Sequence, residues 1–141
     1  MSNYDDIRSA LEIKLNSIVG LPAIAWENKS YTPITGTPFI TVTQINTARR
    51  SAVVGPTPQQ RYQGIFQLLC NFPQDKGPGP TEDVVNTLLD NFQVATDLSF
   101  TNSEPKTVYV TIQYAEQVGA FSNGPWYTTP VNIGWYSYIS P

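Results

Sequence analysis

PFITVTQINTARRSAVVGPTPQQRYQGIFQLLC, residues 38–70, is the stretch on which the architecture turns. Its opening residues, 38–46, alternate and are rich in β-branched side chains, as a half-buried strand requires. Read as a second strand, residues 60–72 put Tyr62, Phe66, Leu68 and Cys70 on one face, with Gly64 in the same row. A glycine there points to a bend, a bulge or the close approach of another backbone. Between the strands lie an arginine pair, two valines, a glycine, two prolines and glutamines. Hairpin loops ordinarily need about 2–5 residues, so residues 47–60 are expected to form a long arm.

Working outward, residues 3–19 read as a helix capped by Ser2, with Asp5 and Asp6 in the anion-favouring first turn and Gly20 as the stop. Tyr4, Ile7, Leu11, Leu15 and Ile18 form its apolar stripe. AIAWEN, residues 23–28, is a short strand. QDKGPGP, residues 74–80, breaks the chain, and its order of residues is wrong for a phosphate loop. Thr81 is then expected to cap a second helix with Val84, Val85, Leu88, Leu89 and Phe92 on its core stripe, ending near residue 95. Residues 107–118 form a strand with Val108, Val110, Ile112 and Tyr114 on one face. After a turn at 121–130, residues 130–139 form the last strand, with Val131, Ile133, Trp135 and Ile139 inward and Asn132, Tyr136 and Tyr138 outward. The predicted class is α+β: a two-layer sandwich with a mainly antiparallel sheet of four to five strands and two helices on one face, in one domain over residues 1–141.

Composition restricts the chemistry. The 141 residues contain no histidine and one cysteine, which removes the commonest general base and makes a zinc site improbable on ligand grounds. Cys70, inside a strand, reads as a small buried hydrophobe. The net charge of −3 lacks the basic excess needed to grip phosphates. Charged residues are 13% of the chain, against about 25% in ordinary soluble domains. Ser, Thr, Asn and Gln, 44 residues together, take their place and suit a surface buried in an assembly. No signal peptide or apolar run of about 20 residues is read, so the expectation is a soluble chain made in the cytoplasm, without a membrane partner. A pair such as Glu27 and Glu116 could meet across the sheet, which leaves two-carboxylate chemistry open. Tyr62, Tyr109, Trp126, Tyr127, Tyr136 and Tyr138 leave open a small carbohydrate- or ligand-binding domain.

AIAWENKSYTP, GTPFITVT, RYQGIFQLLCNFP and PWYTTPVNIGWY, in this order and spacing, resemble the small tail terminator proteins of long-tailed bacteriophages. The Trp26-Glu27-Asn28 and Arg61-Tyr62-Gln63-Gly64 signatures belong to that resemblance, which spans nearly the whole chain. It implies a structural virion protein: a homo-oligomeric ring, usually a hexamer, at the neck-proximal end of the tail. Such a ring stops growth of the tail tube and offers a docking surface to the head-tail connector or neck protein. It implies no enzyme activity and no cofactor, with DNA passing through a neutral or acidic lumen without specific binding. A head-completion protein or a tail tube subunit are the rivals within this class. On this reading the arm crosses between subunits, and Arg49, Arg50, Val53, Val54, Gln59, Gln60 and Arg61 form the expected subunit interface.

Overall fold

The computed structural model describes residues 2–51, 59–75 and 77–139. In chain order the elements are α1 (Asn3–Ser17), β1 (Ala23–Ala25), β2 (Phe39–Ser51), β3 (Gln60–Pro73), α2 (Gly79–Asn91), β4 (Asp97–Thr101), β5 (Thr107–Gln117), β6 (Phe121–Asn123) and β7 (Trp126–Ile139). The sheet runs β1-β2-β3-β7-β5-β4, with β6 paired to the start of β7. The α+β class and the two helices agree with the sequence reading, but the sheet has seven strands rather than four to five. It is also mixed, because β1 runs parallel to β2.

β3 and β7 pair over their whole lengths, from Gln60 opposite Ile139 to Pro73 opposite Trp126. Directly opposite residues share a face, so one register sends Tyr62, Phe66, Leu68 and Cys70 to the same side as Trp135, Ile133 and Val131. Those side chains join Ile7, Leu11 and Leu15 of α1 with Val85 and Leu88 of α2 and the adjoining Phe92 in a single core. Both helices therefore cover the same face of the sheet. The opposite face is free of helices among the described residues.

Ser2 caps α1 as expected, its hydroxyl accepting from the Asp5 N–H at 3.1 Å. α2 starts earlier than its sequence suggested. Pro80 lies in the first helical turn, where its missing N–H costs nothing, and Thr81 is buried inside the helix instead of capping it. The helix ends at Asn91, since the next residue, Phe92, has already left helical geometry. β4, an exposed five-residue strand, was not anticipated. Tyr114 leaves the core face predicted for it because a bulge between Ile112 and Tyr114 adds a residue to β5 and reverses its phase. The expected turn at 121–130 shrinks to Gly124-Pro125, since Asn123 already pairs with Trp126.

Gly64 has a concrete reason to be glycine. A Cβ there would collide with the Ile45 carbonyl oxygen and lie 2.7 Å from Cζ2 of the buried Trp135 ring. The carbonyl belongs to the main chain of β2 and cannot swing aside. Gly64→Ala should therefore destabilise the fold by about 1–3 kcal/mol, the ordinary cost of overfilling a packed interior. A urea midpoint equal to that of the unmodified protein would show that the sheet opens at no cost.

Candidate assembly surface

The expected arm is much shorter than its sequence implied. Residues 47–51 continue β2 and Gln60 begins β3, with Arg49 opposite Tyr62, Arg50 opposite Arg61 and Ser51 opposite Gln60. Polar side chains hid these strand ends from any test of apolar alternation. Gln59 is exposed, while Val53 and Val54 lie outside the described residues.

Alternation divides the expected interface residues between the two faces, and a bulge at Thr47 decides which residue takes which face. Two residues of β2, Asn46 and Ala48, flank the extra one against Gly64 and Gln63, and the Thr47 hydroxyl donates to the Gln63 carbonyl at 3.3 Å. Beyond the bulge Arg49 lies on the helix side, its guanidinium carbon 5.7 Å from the Tyr62 ring centroid. Arg50 and Arg61 lie on the helix-free side. The Arg61 guanidinium stacks 4.5 Å from the Tyr136 ring and 5.7 Å from Tyr138. Such contacts offset part of the repulsion between two directly opposed cations.

The helix-free face carries polar side chains that bond mainly to one another. Thr128 donates to Asn71 Oδ1 at 2.7 Å, Asn71 donates to Thr41 Oγ1 at 3.1 Å, and Gln67 donates to Asn132 Oδ1 at 3.1 Å. Tyr114 lies over Gly134, where a Cβ would meet its ring. At one end Tyr31 packs onto Phe39, which meets Trp126 edge-on at 5.0 Å. Sequence reasoning offered Trp126 and Tyr62 for ligand stacking, but both are buried in packing. Of that aromatic set, Tyr109, Tyr127 and Tyr138 are exposed.

Both edges of the sheet end in short strands. β1 covers only the first three residues of β2. Just past it, the Glu27 carboxylate accepts the Gln44 N–H at 3.2 Å and takes the place of a further strand. This gives the Trp26-Glu27-Asn28 signature a structural meaning: Asn28 turns the chain with φ of 56°, leaving Glu27 against the edge. Among the described residues, no strand lies beside that edge from Ile45 to the end of β2. At the far side β4 is held by a buried latch, in which Asn102 donates to Asp6 Oδ2 at 3.0 Å and its own oxygen accepts the N–H groups of Glu104 and Lys106. Asp6 sits in the first turn of α1, so residues 96 apart in sequence fix the last strand of the sheet to the first helix.

The two carboxylates offered by the sequence, Glu27 and Glu116, do not converge. Glu116 lies on β5, three strand spacings or about 14 Å from β2, and Glu27 stands beyond β2 on its far side. Among the described residues no group of three or more potential metal ligands occurs, and no helix is long and apolar enough to cross a membrane. A cavity of about 430 Å³ is lined by Arg8, Glu12, Trp26, Glu27, Asn28 and Lys29, so that Glu12 and Glu27 share one hollow. Burial raises the Glu12 carboxyl above its ordinary value, against the opposing pull of Arg8 and Lys29.

A family model described as phage tail terminator protein matches residues 6–135. One solved structure, 23% identical, superposes with a TM-score of 0.65 over 98% of this chain and 96% of its own, a likeness that shows the fold alone. No curated protein matches the sequence.

Two titrations test the interior. Burial pushes the Cys70 thiol from 9.0 up to about 12, so a thiol reagent at mildly alkaline pH should leave the native protein unmodified and label it once it is unfolded. Rapid labelling of the native chain would show that the strand opens locally. For Glu12, the folded chain holds its proton more tightly than the unfolded chain. Its contribution is therefore present below 4.5 and lost as pH rises through the raised folded value. Glu12→Gln should melt higher than the unmodified protein at neutral pH, and the difference should shrink on acidification through that window. Equal melting temperatures at neutral pH would mean that Arg8 and Lys29 fully offset the burial.

Proposed function

Since the chain belongs to the phage tail terminator family, a family of structural tail proteins, we propose that it closes into a ring on the head-proximal end of the tail tube. There it ends tube polymerisation and presents a surface on which the head connector docks. The ring is a homo-oligomer, a hexamer by family likeness, with the tube protein on one side and the connector or neck protein on the other. DNA passes through its lumen without specific binding, in keeping with the net charge of −3.

The observation that carries this reading is the β2–β3 hairpin. The facing ends of its strands gather three of the eight basic residues, Arg49, Arg50 and Arg61, beside an edge of β2 that no strand among the described residues covers. A ring needs two different patches per subunit, each meeting the other on the next copy. We place one of them here, formed by Arg49, Arg50, Val53, Val54, Gln59, Gln60 and Arg61. The self-satisfied polar face and the separation of Glu27 from Glu116 support structural work over chemistry.

Electron microscopy of the purified protein, alone and added to tail tubes, tests the reading. Closed rings of one size that seat on a tube end are expected. Open-ended tubes would identify a tube subunit instead, and binding only to filled heads would identify a head-completion protein. Arg49→Ala with Arg50→Ala should melt close to the unmodified protein, because exposed charges contribute about 0–1 kcal/mol. The same double variant should form no rings, because losing a desolvated interfacial charge pair costs about 2–5 kcal/mol. Normal rings from this variant would remove the arginines from the interface.

A further inference from the structure

The two open edges of the sheet match each other, and we infer that the ring closes by main-chain pairing of β2 in one subunit with β4 in the next, so that the sheet continues across the interface. This inference rests on the ring reading above and specifies its contact.

Three features of the subunit lead to it. The first is level. Ala48 pairs with Gln63, Gln63 with Tyr136, Tyr136 with Thr111 and Thr111 with Asp97, so one row across five strands ends at both edges. β4 therefore stands at the height of the uncovered end of β2, and rotation about an axis along the strands brings one beside the other without a rise. The second is direction. Four antiparallel steps separate β2 from β4, so the two run the same way. Cyclic symmetry about such an axis preserves that direction and makes the new contact parallel.

The third is the phase of the peptide groups. Gln44 directs its N–H away from β3, toward Glu27, so alternation turns Gln44 and Asn46 outward. The extra residue at Thr47 shifts this phase, and Arg49 and Ser51 face outward next. On β4, the bonds from Asn102 N–H to Lys106 O and from Ile112 N–H to Thr96 O assign the even residues to β5. Asp97, Ser99 and Thr101 are left facing outward. The row places Arg50 level with Ser99, which is the register in which a parallel ladder forms. Arg49 N–H donates to the Asp97 carbonyl and Ser99 N–H to the Arg49 carbonyl. Ser51 N–H donates to the Ser99 carbonyl and Thr101 N–H to the Ser51 carbonyl. Arg50 and Asp97 then share the helix-free face on neighbouring strands, opposite in charge and one diagonal step apart.

Proline at an outward-facing N–H removes an intersubunit donor and leaves the strand's own ladder intact. Ser99→Pro blocks the β4 edge and Ser51→Pro the β2 edge, and circular dichroism and melting establish that each remains folded. By light scattering after gel filtration, each variant alone should lose the ring and run as a monomer. Mixed, they should form a 1:1 dimer and nothing larger, because one good edge remains on each. Arg50→Asp should weaken the ring, and Asp97→Arg in the same chain should restore it, a readout that needs no proline. Rings that persist in either proline variant would overturn the edge pairing and leave the ring reading standing. Dimers from Ser99→Pro alone would indicate a two-fold contact between β2 strands and would also overturn it. An unmodified protein that forms no ring, alone or on tube ends, would overturn both.

Discussion

The uninterrupted ladder between β3 and β7 is the constraint against which every other position is measured. Side chains alternate with a period of two, so a slip of one residue would exchange the whole apolar row for the polar one. At its middle the indole of Trp135 lies against Gly64 and locks the two strands in one phase. Everything attached on either side inherits that phase: β2 through Gly64 and its neighbours, β5 and β4 through Gly134 and Tyr136. The helices add area to the core, but they do not set the register.

Much of this was legible in the residues, and what was missed has physical causes. The α1 cap and stripe, the inward rows of β3 and β7, and the buried thiol follow from local periodicity, which packing did not override. β4 was invisible because Leu98 and Phe100 give only two apolar residues in five, too few to separate a strand from a loop. The ends of β2 and β3 were read as an arm because TARRS and QR carry no apolar alternation, although main-chain pairing alone holds them in the sheet. Thr81 resembled a cap until Pro80 took the first turn. The arginine cluster was evident as chemistry, whereas which of Arg49 and Arg50 shares a face with Arg61 was not, because a bulge leaves no trace in composition.

The polar face shows how a chain with so few charges manages its surface. Its threonines, asparagines and glutamines largely satisfy one another, as in Thr128–Asn71–Thr41 and Gln67–Asn132. A face arranged in this way demands little from a neighbour that covers it, since few polar atoms lose water without a replacement bond. The same economy explains Glu27, whose carboxylate answers the one N–H at which β1 gives out. Edges left bare invite uncontrolled pairing, and short strands with nearby charges limit how far any added strand can run.

The bulge at Thr47 has a bearing on how such a chain can vary by descent. Trimming a loop by one residue is ordinarily harmless, because the connection simply takes another path over the surface. Loss of Thr47 itself is as mild, because the bulge closes and Arg49 stays opposite Tyr62 and Arg50 opposite Arg61. Moving the extra residue out of the bulge and into the loop is of another kind. Thr47 would then stand opposite Gln63 and Arg49 opposite Arg61, so that Arg49 and Arg50 exchanged faces while the apolar core and both helices stayed as they are. What this hairpin fixes is therefore the place of its extra residue rather than its length. Two relatives of equal length that placed it differently could share a fold and be unable to enter the same assembly.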